Sequence, residues 1–150
     1  MKALNFSLPD QNGKIRSLSD YKGKWLLLYF YPKDFTPGCT KEACSFRDSF
    51  QEFKKRGVYI IGISKDTVSS HKKFAEKYKL KFPLLSDTDH KIIEKYGAWG
   101  KKNFMGREFV GTIRNSVLIN PKGEIVKEYK KVNPMVHSDE ILKDLDKVLK

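Results

Sequence analysis

The chain has 150 residues, with 30 Lys and Arg against 18 Asp and Glu and a formal net charge of +12 at pH 7. That length is enough to bury a substantial core in one unit spanning residues 1–150, and no apolar run approaches the roughly 20 residues needed to cross a bilayer. The basic balance invites a nucleic-acid-binding reading, but the lysines are scattered over almost every segment with no interleaved aromatic platform, which argues against it.

Taken in chain order, Met1 to Pro9 is a short alternating stretch with Leu4, Phe6 and Leu8 rather than a secretory leader, so a cytoplasmic location is expected. Asp10 to Lys14 reads as a turn that closes a small N-terminal hairpin. WLLLYFY at Trp25 to Tyr31 has the continuous apolar character of a strand buried on both faces. A helix is predicted next, from Thr36 to about Lys55, with Thr36 as its cap, Pro37 at the first helical position and Gly38 allowing another group to approach the backbone closely.

Val58 to Ser64 reads as a second buried strand, Ser69 to Tyr78 as a helix, Phe82 to Leu85 as a short strand and Lys91 to Tyr96 as a short helix. Pro121 to Gly123 forms a tight turn between strands Ser116 to Ile119 and Ile125 to Tyr129. The chain closes with a helix opened by Ser138, Asp139 and Glu140, whose Ile141, Leu142, Leu145, Val148 and Leu149 make an apolar stripe. Pattern alone gives an α/β class.

The two cysteines, Cys39 and Cys44, both fall in the first half of the predicted helix. A thiol becomes a nucleophile by losing its proton, and the positive end of a helix favours the anion. Stepping about 100° per residue puts Cys39 on the face of Ala43, Phe46, Phe50 and Phe53, so it points inward, toward a partly enclosed pocket. Cys44 lies about 140° round the wheel, and in an intact helix the two Cα atoms are roughly 8.7 Å apart. Bridging without backbone movement stops near 7 Å. Any disulfide between them therefore requires the first turns to unwind. Inert packing, a static disulfide or half of a zinc site are the competing readings of such a pair. His71, His90 and His137 are too far from it in sequence, and from one another, for zinc spacing.

Pro32, Thr36 and Cys39 form P-x-x-x-T-x-x-C, which resembles the active-site motif of the peroxiredoxins, and FYPKDFTPGCTKEACSFRD is similar to the bacterioferritin-comigratory, or Q-type, branch of that family. The resemblance extends through Trp25 to Tyr31, GAWGKK at Gly97 to Lys102, and GTIRNSVLINPKGEI at Gly111 to Ile125. It departs at Asn115, Ser116 and Val117, where the family often has Ser-Thr-Phe. The resemblance implies a thioredoxin-like fold: a central mixed β-sheet flanked by helices, with an N-terminal β-hairpin.

It also implies an antioxidant thiol peroxidase acting on hydrogen peroxide and organic hydroperoxides. Cys39 is then the attacking cysteine and Cys44 the one that closes an intramolecular disulfide on its sulfenic acid. Thr36, Arg114 and the backbone of Gly38 bind the peroxide, and Pro32 shields the sulfur. Arg114 is one of five arginines beside 25 lysines, and only the resemblance singles it out. Glu42 is a candidate for orienting Arg114, and Trp99 and Phe104 for lining the pocket. No metal or cofactor is expected beyond an external dithiol, a thioredoxin-like partner, and the protein is expected to be a monomer or at most a weak dimer. The competing functional readings are a peroxide sensor or a thiol–disulfide exchanger, the latter usually marked by C-x-x-C rather than C-x-x-x-x-C.

Overall fold

The computed structural model describes residues 2–130, 132–134 and 137–149. The alternation of apolar residues in β3 organises everything around it. After a short hairpin, β1 (Ser7–Pro9) and β2 (Ile15–Ser17), and a 3-10 turn at Leu18–Tyr21, β3 (Trp25–Phe30) runs through the middle of a five-stranded sheet. Leu26, Leu28 and Phe30 point to one face, and Leu27 and Tyr29 to the other. All five are almost fully buried, each large side chain contributing about 1.5–3 kcal/mol by leaving water.

Parallel to β3 lies β4 (Val58–Ser64), and beyond it β5 (Leu84–Ser86), also parallel; on the other side β8 (Ser116–Ile119) and β9 (Ile125–Tyr129) pair antiparallel, giving the order β5-β4-β3-β8-β9. Helices α1 (Pro37–Asp48), α2 (Phe50–Lys55), α3 (Val68–Tyr78) and α5 (His137–Val148) supply the core on the Leu27 and Tyr29 face. Helix α4 (Lys91–Lys95) and Phe6 from the N-terminal segment cover the other face. This is the mixed, helix-flanked thioredoxin-like sheet, with the expected N-terminal hairpin.

Two local expectations are corrected. The cysteine helix does not run unbroken to Lys55: Ser49, at φ −92° and ψ 2°, interrupts it, and α2 restarts at Phe50. The bend keeps Phe53 in the same buried cluster as Ala43 and Phe46. The region from Trp99 to Thr112, where the sequence pattern predicted no strand, is a hairpin of β6 (Trp99–Phe104) and β7 (Arg107–Thr112). Its two turn residues, Met105 and Gly106, have φ of 50° and 80°, the geometry that suits right-twisted hairpin strands. The side chain of Phe104 lies outside the described residues.

No helix among the described residues is long and apolar enough to cross a membrane.

Candidate active site

The first turn of α1 buries Cys39 to 1 % exposure, on the same face as Ala43 and Phe46, as the periodicity requires. Three residues on, Glu42 is also 1 % exposed, and it is there because Arg114 meets it. Arg114 lies in the segment between β7 and β8, and its guanidinium spans the two α1 side chains. Nη1 donates to Glu42 Oε1 at 2.8 Å, and Nη2 donates to Cys39 Sγ at 3.3 Å. A planar fork is the one side-chain geometry that serves two acceptors a helical turn apart without reorganising. Gly38 eases the approach: a Cβ at this position would sit 3.1 Å from Arg114 Nη2, close enough that the guanidinium would have to shift by a few tenths of an ångström. The N–H groups of Gly38 and Cys39 belong to the helix's first turn, which has no intrahelical acceptor for them.

Burial works against the Arg114 charge, but the Cys39 sulfur and Glu42 more than offset it and hold the guanidinium above its ordinary value. Burial pushes the Glu42 carboxyl up, to about 7, against the opposing pull of Arg114. Its second oxygen, Oε2, has no hydrogen-bond partner among the described residues.

Thr36 occupies the cap position of α1, with φ −81° and ψ 152°, but its side chain does not cap the helix. Its Oγ1 donates instead to the Lys33 carbonyl at 2.7 Å, because the loop folds back on itself there. Pro32 is half-buried in the same loop.

The sequence matches the AhpC/TSA family over residues 1–128. It is 46 % identical over 144 residues to the peroxiredoxin Bcp of Bacillus subtilis, covering 96 % of this chain and 92 % of that protein. It is also 46 % identical over 140 residues to the peroxiredoxin Bcp of Escherichia coli K12, covering 93 % and 90 %. The chain belongs to the AhpC/TSA family. Among solved structures, the bacterioferritin comigratory protein of Xanthomonas campestris superposes with a TM-score of 0.91 at 36 % identity, over 97 % of this chain and 92 % of that one. The fold and the chain-long identity make this protein a peroxiredoxin, a thiol peroxidase of the Bcp and Q-type kind.

In this peroxiredoxin both cysteines are free thiols. Cys44 lies on the other side of α1, half-buried, and lines an open depression of about 370 Å³ with Lys41, Asp48, Ser138 and Asp139. Burial pushes its thiol up, only partly countered by Arg47. A cavity of about 460 Å³, lined by Tyr21, Tyr59, Phe82 and their neighbours, lies away from Cys39 and contains no residue of the site.

Trp99, a candidate pocket wall, is placed elsewhere. Its ring stacks on His90 at 4.0 Å and packs against the core on the α4 face, opposite the face that holds Cys39.

Two residues that sequence reasoning passed over belong to the surroundings of Arg114. Lys102 of β6 donates to the Thr112 carbonyl at 2.8 Å. Burial, then the charge of Arg114, holds it below the ordinary lysine value, while Cys39 pulls the other way. His137, at the start of α5, is 1 % exposed and shares a 2.8 Å hydrogen bond with Ser116 Oγ; burial and then the Arg114 charge push it down to about 4. Ser116 is one of the three positions that depart from the family pattern. Nothing in the local sequence distinguishes Lys102 from the other surface lysines.

Among the described residues, one group has the composition of a metal site: Asp34, Asp66 and His71, whose ligand atoms lie within 4.8 Å of one another. Those atoms are already hydrogen-bonded to protein groups, so the cluster is satisfied as a polar network.

Proposed function

We propose that Cys39 is the peroxidatic cysteine, and the observation that supports this best is the Arg114 fork held between Cys39 Sγ and Glu42. A sulfur anion attacking the terminal oxygen of a peroxide needs a fixed positive group beside it. The departing oxygen needs donors placed where its charge develops. Arg114 Nη2 serves the sulfur, and the Gly38 and Cys39 N–H groups, with the guanidinium, serve the peroxide. Thr36, whose proton is committed to Lys33, presents its lone pairs to accept the peroxide O–H. Pro32 covers the loop side of the sulfur.

In the first step the S–O bond forms as the O–O bond breaks. Cys39 becomes a sulfenic acid, and the leaving oxygen takes a proton to become water or an alcohol. Cys44 then attacks the Cys39 sulfur and expels water, closing the disulfide. The intact α1 helix, spanning both residues from Pro37 to Asp48, keeps them about 8.7 Å apart, so this step follows local unwinding. An external thioredoxin-like dithiol reduces the disulfide, with no metal or other cofactor. Access to Cys44 from an open depression supports that exchange. The Xanthomonas campestris protein is described for alkyl peroxide reduction. We extend that substrate class, with hydrogen peroxide, to this chain, and assign it to the cytoplasm as a monomer.

Peroxide consumption coupled to a thioredoxin system tests the roles. Wild type turns over. Cys39→Ser is inactive, and Cys44→Ser gives one sulfenic acid per chain and then stalls. Sustained turnover by Cys39→Ser overturns the assignment.

A further inference from the structure

The loop that joins β3 to α1 is anchored by groups that the chemistry above does not use. The Asp34 carboxylate, 3 % exposed, accepts from the Tyr31 hydroxyl at 2.7 Å and from the Ser70 hydroxyl at 2.8 Å, and faces His71 Nδ1 at 2.7 Å. His71 is fully buried on α3, and its Nε2 lies 3.0 Å from the Leu85 carbonyl. Each ring nitrogen thus has an oxygen of a different element before it, so the ring ties the Asp34 loop to the end of β5. The backbone N–H of Asp34 donates to Asp66 at 2.9 Å.

The next residue, Phe35, has φ 64°, a left-handed conformation that is strained for a non-glycine residue and persists only where its surroundings over-determine it. Those surroundings are again α3: the Phe35 ring lies 5.1 Å from Phe74 and 6.4 Å from Tyr78. Thr36 follows directly, and Cys39 is three residues further. The loop is therefore fixed to α3 by a buried carboxylate–imidazole contact and an aromatic contact.

We propose that Asp34 and His71 are positioning residues for peroxide reduction: their pair sets the loop from Pro32 to Thr36, and through it the Thr36 hydroxyl and the first N–H groups of α1, in register with Arg114. The proposal rests on the peroxidase reading above. A peroxide reacts only when sulfur, hydroxyl, amides and guanidinium converge on it. A misplacement of about 1 Å can cost up to about 10²-fold in such a constellation. A neutral alkylating reagent requires the sulfur alone. Loss of positioning therefore slows the peroxide reaction selectively, whereas a general loosening of the fold changes both reactions together.

The test compares, for wild type, Tyr31→Phe, Ser70→Ala and His71→Gln, the rate of Cys39 oxidation by hydrogen peroxide with the rate of its alkylation by iodoacetamide. Mass spectrometry reads both, because trypsin cuts after Lys41 and puts Cys39 and Cys44 on separate peptides. The expected result is a peroxide rate about tenfold lower in His71→Gln and about threefold lower in Tyr31→Phe and Ser70→Ala, with alkylation within about twofold of wild type. Unchanged peroxide rates in the folded variants, or a proportional change in both reactions, overturn the proposal. If His71→Gln does not fold, the two hydroxyl deletions decide the matter alone. An inactive wild type, or an active Cys39→Ser, strikes the peroxidase reading itself and is distinguishable from either result.

Discussion

Glu42 and His137 both face Arg114, and their titrations act on stability with opposite sign. The Glu42 carboxyl is raised from 4.5 to about 7 in the folded protein, so the folded state holds a proton that the unfolded chain releases earlier. Its contribution is fully present below about pH 4.5 and is lost as pH rises through about 7. His137 is lowered from 6.5 to about 4, so the unfolded chain takes up a proton that the folded state refuses. That contribution is present above about pH 6.5 and is lost as pH falls through about 4. Each shift corresponds to no more than about 3 kcal/mol, and in the shared window they oppose one another. Thermal melts between pH 4.5 and 6.5 separate them. Glu42→Gln, left with the His137 slope, loses stability on acidification more steeply than wild type. His137→Asn loses stability instead as pH is raised. Melting curves of both variants that run parallel to wild type would show that neither group is shifted. The Glu42 role was legible in the sequence only as a spacing of three residues from Cys39. Its burial depends on Arg114 arriving from 72 positions away, which no local pattern encodes.

At the scale of the element, α1 holds the sulfur in place and must also release it. Its periodicity was readable because one helix face must be apolar throughout to lie on the Leu27 and Tyr29 side of the sheet. The strands β3, β4 and β8 were readable for the same reason, being buried runs bounded by turn residues. The β6–β7 hairpin was not, because its strands are largely exposed, carry Lys101, Arg107 and Glu108, and turn at Met105-Gly106 rather than at the usual Asn-Gly or Asp-Gly pair. The same limit hid the restraints on α1 unwinding, all of which are long-range. Ser45 Oγ meets Ser138 Oγ of α5, Arg47 donates to the Tyr78 carbonyl at 2.9 Å, and Glu42 holds Arg114. Ser45 touches neither the sulfur nor the peroxide donors, so Ser45→Ala isolates the release step. A hydrogen bond contributes about 1 kcal/mol net, which sets the expected acceleration of disulfide closure at about fivefold. Faster closure leaves the Cys39 sulfenic acid less time to meet a second peroxide. The sulfinic fraction, read by mass spectrometry across rising peroxide, therefore shifts to higher concentrations in Ser45→Ala. An unchanged or larger sulfinic fraction would mean that unwinding is limited elsewhere.

For the whole molecule, the +12 charge becomes a question of encounter. Lysines spread over the surface contribute little to stability as isolated pairs, but their summed field extends beyond any one contact. Near the Cys44 depression, Lys41 is exposed and Asp48 is paired with Arg47 at 3.0 Å. An acidic protein dithiol approaching that side is attracted over roughly the Debye length, which shrinks from about 10 Å at 0.1 M salt to about 3 Å at 1 M. A small neutral dithiol feels no such field. Turnover driven by an acidic thioredoxin-like reductant should therefore fall about tenfold in kcat/KM between low salt and 0.5 M, at constant pH, while turnover driven by dithiothreitol stays within about twofold. The comparison removes any effect of salt on the peroxide step or on α1 unwinding, since both reductants share those steps. Equal salt dependence with the two reductants would show that the basic surface takes no part in capturing the reductant.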